Sequence, residues 1–168
     1  VIAFHMGNRL SHDFFLGDMT SDLLAGGDSA RLYERLIKIK RMFASVNAYI
    51  SGDVDNGMFV FTGQLLPTTT EAEAEAAFWE EIDELKSGKI SDYELEKVKN
   101  KFEANTLFGE LNVMNKAMNL GYYQMIGDLE LINREVDIYR SLMREEVADF
   151  SQRTFRKDNS STLIYRAK

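Results

Sequence analysis

Residues 23–50 read LLAGGDSARLYERLIKIKRMFASVNAYI, and this stretch decides how the rest of the chain is read. Gly26 and Gly27 form a pair suited to end one helix, because glycine takes positive φ at little cost. Asp28 or Ser29 can accept a hydrogen bond from the free N–H groups that open the next helix. Leu32, Leu36 and Ile39 recur at i, i+4 and i+7, which predicts an apolar stripe along that helix. Arg31, Arg35, Lys38 and Arg41 give it positive charge. From Phe43 the period changes to two, with Ala44, Val46, Ala48 and Ile50 alternating with Phe43, Ser45, Asn47 and Tyr49. The unit predicted is helix, Gly-Gly turn, helix, strand.

Working outward, the composition bounds the answer. The chain has 168 residues, 45% of them hydrophobic, with a single proline. That is a one-domain size with enough apolar material for a core, and it is not a disordered composition. No run approaches the ~18 apolar residues of a membrane span. A net charge of −7 argues against generic nucleic-acid binding. With no cysteine, disulfides and thiolate metal sites are excluded.

Toward the N-terminus, Ile2, Phe4 and Met6 alternate with their neighbours as in a strand, and Gly7-Asn8 breaks it. Ser11 or Asp13 can open a helix carrying Phe15, Met19 and Leu23 on one side. The chain opens inside this strand without an initiator methionine, and residues 1–168 are read as a single domain excised from a longer protein. Toward the C-terminus, residues 51–57 form a turn, with Asn56-Gly57 suited to left-handed geometry. Asp53 and Asp55 suggest calcium, but an EF-hand loop counted from Asp53 needs glutamate where Gln64 stands, so the plain turn is preferred. Met58 to Leu66 reads as a strand that Pro67 ends.

Thr70-x-x-Glu73 and Ser91-x-x-Glu94 are capping boxes. The helix after the first carries Phe78, Ile82 and Leu85 on one side. Glu71, Glu73, Glu75, Glu80, Glu81, Asp83 and Glu84 form an acidic side, read as a solvated face because no histidine or cysteine accompanies it. Beyond Ser91 a long helical pattern carries Leu95, Val98 and Phe102, with a break over residues 105–109. Leu111, Met114, Met118, Tyr122 and Met125 then recur at helical spacing. Such a stripe is expected in the core, the alternative being an adaptable binding surface. Two more helices, bearing Leu129, Ile132, Val136 and Tyr139 and then Val147, Phe150 and Phe155, precede a closing strand over residues 161–166. The sum is an α+β, two-layer domain. Its four-stranded, largely antiparallel sheet has helices packed mainly on one face. The uncovered face is expected to be partly apolar, with Phe43, Tyr49 or residues 58–66 as candidates.

G-G-D-S-A-R-L-Y-E-R-L followed by A-S-V resembles the pitrilysin/insulinase family of zinc peptidases, and the resemblance in element order runs to the C-terminus. The motif residues are Gly26, Gly27, Ser29, Arg31 and Leu32. Ala30 either is extra between Ser29 and Arg31 or occupies the family serine position. The resemblance implies a protein that pairs homologous domains, only one of which carries the zinc motif H-x-x-E-H with a later glutamate. His5 and His12 are the chain's histidines and neither begins such a motif. Both are therefore expected to be structural, with no cofactor in this chain and zinc in the parent protein or partner domain. Another domain of the family supplies an arginine and, seven residues later, a tyrosine that hold the substrate. With Arg31-Leu32 in register, those positions are Ile37 and Ala44, neither of which can donate a side-chain hydrogen bond.

The resemblance thus implies a non-catalytic C-terminal-type domain. It would help enclose a peptide-binding chamber, with a homologous zinc-bearing domain as partner in the same chain or another subunit. A structural subunit, as in the respiratory bc1 complex, is the second expectation, and a free-standing binding module the third. A zinc motif about 150 to 200 residues upstream, one domain length, would favour the first. No catalytic, metal-binding or substrate-binding residue is assigned within the chain.

Overall fold

A computed structural model describes residues 1–52 and 54–166. Asp53, part of the turn reading, lies outside the described residues. The order is β1 (Ile2–His5), α1 (His12–Ala25), a π-helix (Tyr33–Ile39), β2 (Phe43–Ile50), β3 (Met58–Leu65), α2 (Glu71–Lys86), α3 (Asp92–Gly109), α4 (Val113–Ile126), α5 (Leu131–Ser141), α6 (Arg144–Thr154), a 3₁₀ turn (Lys157–Asn159) and β4 (Ser160–Thr162). The strands form one antiparallel sheet in the order β2-β3-β1-β4. The closing strand is shorter than the alternation over residues 161–166 predicts, ending at Thr162.

One face of the sheet carries the core. Phe59 and Phe61 of β3 and Phe4 of β1 meet Phe155 and Phe78 from the helix layer: Phe59 and Phe155 stand edge-on at 4.7 Å, and Phe61 stacks on Phe78 at 4.4 Å. Aromatic pairs at these separations add to the burial of their own area. Phe15, Met19 and Leu23 of α1, Phe78, Ile82 and Leu85 of α2 and Val147 and Phe150 of α6 are all buried, as their spacing predicts. Both capping boxes form. Thr70 and Glu73 bond reciprocally at the start of α2, and Ser91 and Glu94 do so at the start of α3.

Several local expectations are corrected. Neither Asn56 nor Gly57 takes positive φ. Gly57 instead sits where a Cβ would come within 2.5 Å of the Ser51 carbonyl oxygen. Glu81 is not on a solvated face: it is 3% exposed and holds Arg35 at 2.7 Å. The methionine stripe is not core, since Leu111, Met114, Met118 and Met125 are all exposed. The outer face of the sheet is partly apolar as expected, with Tyr49, Met58 and Val60 among the polar Ser45, Asn47, Thr62 and Gln64. Phe43 is not on that face; it is buried.

Candidate functional site

The stretch from Gly26 to Ser45 builds a corner at one end of the sheet, and its backbone departs from regular geometry three times. The departures begin after the glycine pair. Gly27 takes φ 129°, a conformation that favours glycine, while Gly26 has φ −73° and is required for space. A Cβ on Gly26 would lie 2.4 Å from the Asp22 carbonyl oxygen. Neither Asp28 nor Ser29 caps the next helix. The buried Ala30 offers its carbonyl to the Glu34 N–H at 3.0 Å, and the Ser29 hydroxyl oxygen accepts from Lys97.

The first departure is the helix itself. It widens into a π-helix over Tyr33–Ile39, with the Lys40 N–H reaching the Arg35 carbonyl five residues back. The wider turn explains why the predicted stripe holds only in part. Leu32 and Leu36 are fully buried, but Ile39 is 71% exposed and Ile37 is the residue packed against the core. The second departure is Arg41, at φ 51°, a left-handed position that costs a side-chain-bearing residue about 1–2 kcal/mol. The third is a bulge at the start of β2. Phe43 pairs with Leu65 and Ser45 with Gln64, leaving Ala44 unmatched. The extra residue shifts the alternation by one, so Phe43 joins Val46, Ala48 and Ile50 on the core face, and its ring lies over Gly63. π-turns, bulges and left-handed non-glycine residues gather at functional sites.

Charged side chains tie this corner to the helix layer. The Arg31 guanidinium, 6% exposed, donates to both carboxylate oxygens of Glu94 at 3.0 and 3.2 Å and to the Lys89 carbonyl at 2.7 Å. Burial pushes the Glu94 carboxyl up, but the Ser91 hydrogen bonds and Arg31 outweigh it and leave it below the usual carboxylate range. Arg35 spans Glu81 and Glu84 of α2. Burial raises the Glu81 carboxyl, with Arg35 opposing, whereas the Arg35 hydrogen bond lowers that of the more exposed Glu84. The motif arginine is thus a clamp between the corner and the start of α3. Of the two residues that the resemblance aligns with a substrate-holding pair, Ile37 lies on the π-helix against the core and Ala44 is exposed in the bulge. Neither side chain offers a donor.

Beside the bulge, an open cleft of about 580 Å³ lies between Phe43, Leu65, α2 and the segment after β4. Its walls are largely apolar. Glu71 at its rim is held by Arg166 at 2.7 Å, and Glu75 accepts from the Trp79 indole at 3.3 Å. The donor set does not fit a zinc site. His5 is exposed at the end of β1, His12 Nε2 is 3.1 Å from Glu146, and no group of three histidine, aspartate or glutamate side chains converges among the described residues.

A second polar cluster, unsignalled in the sequence, lies at the other end of α1. Arg9 is 6% exposed, donates to Glu135 at 2.5 Å and lies 4.2 Å from the Phe14 ring centre. Tyr123 also donates to Glu135, and Tyr139 donates to Asp18 at 2.6 Å. These contacts join the Arg9 loop and α1 to α4 and α5 across more than a hundred residues. No periodicity in a single segment could disclose them.

Residues 1–102 match the sequence family described as peptidase M16 inactive domain. The chain belongs to this family. No curated protein matches the chain. Among solved structures, a protease from Helicobacter pylori superposes with a TM-score of 0.89 at 19% identity, over 95% of this chain and 38% of that one. The inactive peptidase domain of a Bordetella parapertussis protein assigned as a zinc protease gives 0.84 at 22% identity, over 95% and 87%. A chain of complex III2 from Candida albicans gives 0.78 at 13% identity, over 95% and 40%. The chain therefore has the fold of the M16 inactive domain and spans well under half of the Helicobacter pylori chain. No helix among the described residues is long and apolar enough to cross a membrane.

Proposed function

We propose that this chain is the non-catalytic domain of a zinc metallopeptidase. It helps enclose the peptide-binding chamber, while zinc and the general base come from a homologous domain, in the same chain or a partner subunit. The family match across residues 1–102 carries this reading. The corner around Ile37 and Ala44 supports it. The backbone irregularities of a functional site are present, but the side chains at the family's substrate-holding positions cannot donate hydrogen bonds. Zinc in the partner domain would polarise the scissile carbonyl and lower the pKa of its bound water. This domain would contribute wall surface, including the apolar cleft beside Phe43, against which an extended peptide can lie.

The test is reconstitution. The H-x-x-E-H domain encoded with this chain is assayed for cleavage of a library of unstructured peptides, alone and with this chain added. Cleavage that rises at least about tenfold on mixing, a difference of about 1.4 kcal/mol in barrier, supports the reading. Equal cleavage with and without this chain contradicts it. The likeness to the complex III2 chain favours a second reading, a structural subunit without a peptidase role. On that reading the two domains associate but no peptide is cut.

A further inference from the structure

Residues 111–121 are exposed at every position, and α4 first reaches the core at Tyr122, followed by the buried Tyr123 and Ile126. A helical segment of this length is marginal on its own in water, and Asn115, Asn119 and Gly121 are weak helix formers. Yet the surface it shows is apolar. Leu107, Phe108, Leu111, Met114, Met118 and Met125 are between 59% and 79% exposed. Between Thr106 and Gln124 the charged residues are Glu110 and Lys116, 3.9 Å apart. An apolar, methionine-rich patch depleted of charge has the composition of an interface core.

The charges narrow the occupant. An amphipathic helix that lies on a membrane carries a basic polar face, and this arm has one lysine on a chain of net charge −7. A second copy would bring the same net charge of −7, and the single Glu110–Lys116 pair on each arm offers little to offset it. A further domain of a longer assembly remains. The matched fold fills only 38% of the Helicobacter pylori chain and 40% of the complex III2 chain, so in both it stands beside more protein than its own length.

We infer that the arm from Leu107 to Met125 is the docking surface for the homologous zinc-bearing domain, an assignment that rests on the function proposed above. Met114→Glu with Met118→Glu places two charges on the arm at exposed positions, so the melting temperature of this chain alone should not change. The probe is the H-x-x-E-H domain encoded with this chain, measured by isothermal titration calorimetry. Binding by the unsubstituted chain should weaken more than about tenfold in the double variant. Amides 111–121 should exchange at least about tenfold more slowly in the unsubstituted complex than in the free chain. Equal binding by both forms would overturn the surface and leave the function standing. No binding by the unsubstituted chain would overturn both. A dimer of this chain that the substitutions dissociate would place a second copy on the arm and overturn the assignment, as would unfolding of the double variant on its own.

Discussion

Arg31 illustrates how a motif residue can be structural. Its guanidinium is enclosed by the start of α3, and Glu94 serves both as its partner and as the reciprocal half of a capping box. Removing one member of a buried pair leaves the other charge uncompensated. Glu94 is 28% exposed and keeps its Ser91 bonds, so Arg31→Ala should lower the unfolding free energy by about 1.5–3 kcal/mol, read from urea denaturation. A loss below about 1 kcal/mol, the worth of a surface pair, would contradict the clamp. Arg41 gives a prediction of opposite sign. Arg41→Gly relieves a left-handed backbone position at some cost in unfolded-chain entropy, and should stabilise by about 0.5–1 kcal/mol. Destabilisation would mean that the Arg41 side chain does more than tolerate its φ. The capping residues Thr70 and Ser91 were legible because a cap is local: residue i and residue i+3 suffice. Arg31 was legible as a motif residue, but its Glu94 partner lies 63 positions away and sequence spacing cannot pair them.

At the scale of elements, α1 and α5 are joined by a partly buried carboxyl, Asp18, whose titration can be read. Burial raises the Asp18 carboxyl above its ordinary value, although the Tyr139 hydroxyl that donates to it acts the other way. Asp22 and Glu135 add to the rise and Arg9 opposes it. A raised carboxyl favours the folded state most below its unfolded pKa of about 3.9. That contribution is lost as pH rises through the folded value. Asp18→Asn stays neutral and still accepts from Tyr139. The variant should thus be more stable than the parent at pH 7–8, with the difference shrinking toward pH 4. Urea midpoints showing a gap independent of pH would contradict this.

The same scale shows where periodicity stops informing. Helices α1, α2 and α6 were legible because each buries one face against one sheet. The π-helix and the bulge at Ala44 were not, because each inserts residues that shift phase without a distinctive residue type. That shift exposes Ile39 and buries Phe43. The α4 stripe was misread for a different reason. Apolar spacing reports that a face seeks cover, and it does not say whether this domain or another supplies it.

For the whole molecule, the antiparallel two-layer fold followed from strand alternation, the hairpin and the return of the chain as β4. The corner from Gly26 to Ser45 was legible only as a resemblance, which aligns Ile37 and Ala44 with the family's substrate-holding pair. The central claim is that this domain contributes surface rather than a metal. It is tested most directly by the zinc content of the purified chain after dialysis, by mass spectrometry, with peptide cleavage assayed on the same sample. The predicted result is less than about a tenth of an equivalent of zinc and no chelator-sensitive cleavage, since catalytic zinc sites are held by about three converging protein ligands. Stoichiometric zinc together with chelator-sensitive cleavage by this chain alone would contradict the account.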